Sequence, residues 1–131
     1  MNRGQVSLEF LLLIGVFFSC LLLILPAINF SMQQIMNTND VLLAKQISQI
    51  IENEDELFLF TGNGSTKEFE FIPTNKITLQ TQGNNFEVFT DQKKFSVELS
   101  GIQDSHKTEF TTKFFISIKK ENNITKINFY N

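Results

Sequence analysis

From Phe10 to Ile28 the chain reads FLLLIGVFFSCLLLILPAI without a charged residue. The run is about as long as a helix needs to cross a hydrocarbon core. Glu9 stands at its mouth, and no further charge occurs until Asp40. A carboxylate at the edge of a bilayer is costly, so a plain anchor has no use for it. Only Met1, with its free amine, and Arg3 precede the run as positive charge. That flank predicts a cytoplasmic amino end and an exported remainder.

A cleaved secretory signal would have a shorter apolar core and an A-x-A-like site. This run is longer, and Leu25-Pro26-Ala27 is a poor match to such a site. Past Ile28 the apolar residues continue at helical spacing: Phe30, Met32, Ile35, Met36, Leu42, Leu43, Ile47, Ile50 and Ile51. Polar residues such as Gln33, Gln34, Lys45 and Gln49 fall among them, the pattern of an amphipathic helix. The expected helix runs from about Val6 to Glu52, on the order of 70 Å at 1.5 Å per residue. Pro26 should kink it, and Asn37-Thr38-Asn39 could make it irregular. The acidic stretch ENEDE, residues 52–56, reads as a solvated helix end or linker. It lacks the loop glycine and alternating carboxylates of a Ca²⁺ site.

From Leu57 onward the apolar period changes to two, as in Phe69/Phe71, Ile77/Leu79, Phe86/Val88, Phe95/Val97/Leu99, Phe114/Ile116/Ile118 and Ile124/Ile127/Phe129. Turn-rich stretches GNGS, PTN, QGNN, TDQ, SGIQDS and ENN separate these runs. The expectation is five to seven antiparallel strands in a meander, apolar on one face and covered by the Asp40–Ile51 helix. The fold class is then α+β, a long helix followed by a small sheet packed on its outer half. The expected divisions are a membrane-spanning helix over 5–28, an amphipathic extension over 29–56 and a β-rich head over 57–131.

The rest of the chain narrows the function by exclusion. The net charge is −3 with no basic stripe, which argues against nucleic acid as a partner. Cys20 is the single cysteine and lies in the apolar run, so no intrachain disulfide forms. His106 is the single histidine, in what reads as a solvated polar loop. No nucleophile–base pair, phosphate loop or zinc spacing can be assembled, so we expect no enzyme activity, cofactor or metal. Gly15 and Ser19 are spaced for close helix approach, although chance accounts for the pair equally well. N-x-S/T triplets begin at Asn29, Asn63 and Asn123. Asn63 and Asn123 lie in predicted surface turns and are candidate glycosylation acceptors. Asn29, in the helix near the membrane, is the weakest of the three.

Gly4-Gln5-Val6-Ser7-Leu8-Glu9, followed by Leu13, fits Q-x-S-x-E-x-x-x-L after a glycine. The pattern resembles the class III signal peptide of archaeal type IV pilins and pilin-like proteins. The resemblance covers the first 15 residues closely and the long helix in general character. It implies cleavage between Gly4 and Gln5 by a prepilin peptidase, removing residues 1–4, with Gln5, Ser7, Glu9 and Leu13 as the processing and assembly motif. It further implies partners: an assembly platform, its ATPase, and copies of this chain or sister pilins in a surface filament. Glu9 would enter a core of packed apolar helices, where it needs a neighbour's amino terminus or a hydroxyl such as that of Ser7. The alternative expectation is a membrane-anchored β domain that binds a surface ligand without polymerising.

Overall fold

The computed structural model describes residues 3–58, 60, 61, 63–122 and 124–131, with backbone alone for residues 3–6 and 102–104. Among the described residues one helix, α1 (Arg3–Phe58), is followed by five strands: β1 (Thr66–Phe71), β2 (Ile77–Phe89), β3 (Lys94–Phe110), β4 (Phe114–Glu121) and β5 (Ile124–Tyr130). The fold is α+β. The chain forms two compact units, Met1–Ile35 and Met36–Asn131.

In the first unit the helix passes through Pro26 without interruption. Leucine, with its low helix cost, fills much of this segment. Ser19 and Ser31 turn their hydroxyls back to the Gly15 and Ala27 carbonyls at 2.8 and 2.9 Å. Both hydroxyls are therefore satisfied within the helix itself, as an apolar surrounding would require.

The second unit holds two antiparallel sheets: β1, β4 and β5, with β4 central, and the β2–β3 hairpin. The expected meander is not what forms, because β1 pairs with β4, Phe71 opposite Phe114, and the β2–β3 hairpin is inserted between them. Two expected turns also lie inside strands. Residues 82–85 belong to β2, where register shifts flank Gly83, and residues 100–105 belong to β3. Gly83 has φ +61°, a left-handed conformation natural to glycine, so it bends the ladder without ending it. Gly101 serves a close approach: a Cβ there would lie 2.9 Å from the Thr125 amide nitrogen.

Alternation buries one side of each ladder. Phe114, Ile116 and Ile118 of β4, Ile77, Leu79, Phe86 and Val88 of β2, and Val97, Leu99 and Phe110 of β3 form one core. The helix residues Ala44, Ile47, Ile51 and Phe58 complete it. The amphipathic stripe therefore covers the sheets as expected, but helix continues to Phe58, past the point where period-two alternation seemed to begin. The Asn37-Thr38-Asn39 stretch is helical without a break.

Candidate functional site

The first unit is defined by what it leaves uncovered. From Ser7 to Ile35 no residue is buried, and only Ile14 and Leu21 are even half-covered. Leu8, Phe10 and Leu23 are 66, 63 and 77% exposed. Each such side chain is worth roughly 1.5–3 kcal/mol when removed from water. Summed along the helix, that exceeds the roughly 5–15 kcal/mol that stabilises an ordinary domain. This helix is long and apolar enough to cross a membrane.

Glu9 sits at the start of that surface, and positions 5, 9 and 13 follow one another at i, i+4 steps along one face. Glu9 and Leu13 are both exposed. Ser7 is two residues away, about 200° around the helix at 3.6 residues per turn, so it cannot satisfy the Glu9 of its own chain. Among side chains that are described, none forms an ion pair with Glu9. Gly4 and Gln5 lie in the first turns of α1, where the backbone alone is described.

The second unit carries three buried polar fastenings. Asp40 accepts the Thr74 and Asn75 amides at 2.7 and 3.0 Å, tying the helix to the loop between β1 and β2. Asn75 Nδ2 adds a bond to Asn37 Oδ1 at 3.2 Å. Asp55 accepts from the Ser100 amide and hydroxyl at 2.8 and 2.9 Å and from the Thr125 hydroxyl at 2.5 Å. Lys120, also buried, points its ammonium at the carbonyls of Phe58 and Thr61, the latter at 3.0 Å. A cation there satisfies the Phe58 carbonyl that the helix end leaves open and complements the helix dipole. The acidic stretch is thus a helix end, as one of the two expectations had it, with Glu52, Asn53 and Glu56 exposed, but it is not solvated throughout. Glu54 and Asp55 are buried, the first paired with Lys67 at 2.6 Å and the second saturated with donors. Sequence reasoning missed them because the compensating groups lie in distant strands.

The outward face of the three-stranded sheet carries a row Glu70–Phe115–Tyr130 in register. The Phe115 and Tyr130 rings stack at 5.7 Å, and Lys113 lies 5.0 Å over Phe115 while pairing with Glu70 at 2.8 Å. A hydrogen bond to the Glu68 carboxylate raises the Tyr130 pKa, with burial adding to it. Lys76 and Glu109 form a surface pair at 2.9 Å, their hydrogen bond raising the lysine and lowering the glutamate.

His106 is exposed but lies in β3, not in a loop; its ring packs on Phe129 at 5.3 Å and its Nε2 meets Thr108 Oγ1 at 2.9 Å. No group of His, Cys, Asp and Glu that could hold a metal ion occurs among the described residues. Asn63 is exposed in the turn before β1, and Asn123 falls outside the described residues. No known protein family, curated protein or solved structure matches the chain.

Proposed function

We propose that this chain is a structural subunit, a major or minor pilin, of an archaeal type IV pilus-like filament. A prepilin peptidase cuts between Gly4 and Gln5 on the cytoplasmic side, and the mature subunit rests in the membrane with its β-rich unit outside. An assembly platform and its ATPase then move the apolar helix from lipid into a bundle of like helices. The observation that carries this reading is the uncovered helix from Ser7 to Ile35 with Glu9 near its start. Lipid alone would satisfy the apolar surface but not the carboxylate. A neighbouring subunit's amino terminus satisfies it and sets one axial register. The β-rich unit contributes a stable outer surface, with Asn63 and Asn123 as its glycan acceptors.

Mass spectrometry of sheared surface filaments tests the proposal. Expected is this chain, beginning at Gln5, as a filament component. Recovery only in membranes would favour the anchored ligand-binding domain, and an amino terminus beyond Ala27 would restore the secretory reading.

A further inference from the structure

We infer that Asn63-Gly64 is a self-modifying site, whose asparagine converts to aspartate and isoaspartate whenever the turn that holds Gly64 opens. In an Asn-Gly pair the following backbone nitrogen reaches the side-chain amide with no Cβ in the way. The Gly64 nitrogen attacks Asn63 Cγ, its proton passes to the solvent, and the carbon–nitrogen bond of the amide breaks to release ammonia. Water then adds to either carbonyl of the resulting five-membered imide. One opening leaves aspartate, and the other leaves isoaspartate with the backbone lengthened by a methylene. The only co-reactant is water.

The folded turn restrains the attacking nitrogen. Its N–H donates to the Lys120 carbonyl at 2.9 Å, and the Lys120 N–H in turn donates to the Ser65 carbonyl at 2.9 Å. Gly64 is held at φ +92°. The same Lys120 sends its ammonium to the Phe58 and Thr61 carbonyls, so one residue fastens both the entrance and the exit of the turn. An amide committed to a carbonyl acceptor is neither free to lose its proton nor free to swing onto Cγ. Asn63 itself is exposed, so water reaches it. The reaction is therefore gated by local opening, whose free energy is lower than that of global unfolding.

The consequence is chemical as well as structural. Isoaspartate displaces Gly64 relative to its acceptor, and either product adds a negative charge beside the turn. Conversion also destroys the Asn63-Gly64-Ser65 triplet, so a glycan and this reaction exclude one another at the same side chain. The inference holds whether or not the chain assembles into filaments.

The test uses the full chain in detergent micelles, produced without N-glycosylation and incubated at mildly alkaline pH. Peptide mass spectrometry follows the amide-to-acid mass change at Asn63. Conversion in the folded wild type should be slow, in denaturant fast, and in Lys120→Met about tenfold faster than wild type. That factor is the change in opening expected for loss of a charge-assisted hydrogen bond. If the variant does not fold, wild type alone decides: over sub-denaturing urea, conversion should rise in parallel with hydrogen exchange of the Gly64 amide. Folded wild type converting as fast as denatured chain, a folded variant no faster than wild type, or conversion flat while exchange rises, would each overturn the inference.

Discussion

The Asp55 carboxylate and the Thr125 hydroxyl, 70 positions apart in the chain, meet at 2.5 Å in the interior. The same carboxylate holds both the amide and the hydroxyl of Ser100, so the end of α1 is fastened to β3 and β5 at one point.

Asp55→Ala should therefore cost more stability than its neighbours in the acidic stretch. It strands the buried Thr125 hydroxyl together with the two part-buried donors of Ser100, and the loss should be about 1–3 kcal/mol. Asp55→Asn, which keeps one acceptor oxygen, should lose less, and Glu52→Ala, exposed on the helix, should change stability by under about 0.5 kcal/mol. Chemical denaturation of the three variants checks the order. Equal losses would mean that Asp55 is not the fastening.

Gly101→Ala probes the approach of β3 to β5. The new methyl would meet the Thr125 nitrogen at 2.9 Å and Ile124 Cα at 3.0 Å, both backbone atoms that cannot swing aside. Overpacking of this kind costs roughly 1–3 kcal/mol. Gly15→Ala, with nothing within 4 Å of its Cβ, should be harmless to folding and favour the helix by up to about 1 kcal/mol. Thermal midpoints of the two variants should move in opposite directions or differ clearly.

Tyr130 offers a spectroscopic reading of the outer sheet face, because the chain has one tyrosine and no tryptophan. Its phenol, bonded to Glu68, should stay protonated past its ordinary pKa of 10.0. A raised folded pKa means the contact stabilises fully below the unfolded value and is lost as pH rises through the folded one. Ultraviolet titration should show ionisation above 10.0 in wild type and a return towards that value in Glu68→Gln. Identical curves would show that the bond does not persist in solution.

On the proposed reading as a filament subunit, Glu9→Leu should separate processing from assembly. Removing the charge should preserve or favour membrane insertion, by up to roughly 2.5–3.5 kcal/mol for a fully immersed acid. Cleavage after Gly4 should continue at least in part. Incorporation into filaments should fall, and Glu9→Gln should be milder because an acceptor remains. The ratio of mature subunit in sheared filaments to that in membranes is the readout. An unchanged ratio would reduce Glu9 to a residue of the membrane interface.

The parts of this fold that periodicity encodes were legible. The uncharged run, the stripe through Ala44, Ile47 and Ile51, and the alternating strands all follow from which side of an element faces apolar surroundings. Pairing was not legible, since β1 alternates equally well whether its partner is β2 or β4. Gly83 and Gly101 read as turn glycines, but one bends a continuing ladder and the other admits a neighbouring strand. Asp55 looked solvated because composition describes a residue's own character. Its burial depends on donors at Ser100 and Thr125, which no local pattern announces. The proposed assembly motif of Gln5, Ser7, Glu9 and Leu13 stands at the opposite extreme, contained whole in one short stretch of the sequence.

The bend at Gly83 has a consequence for charge as well as for shape. A straight strand as long as β2 would separate its ends by roughly 40 Å at about 3.3 Å per residue. Yet Lys76, just before it, and Thr90, just after it, line the same small cleft beside Asn37 and Asp40. The ribbon begins and finishes at one place. The tip of this hairpin thus lies near its root, and both arms feed one core. Removing the Asp91 carboxylate at the tip should thus be felt at the ribbon's root, where that charge helps to raise the Lys76 pKa.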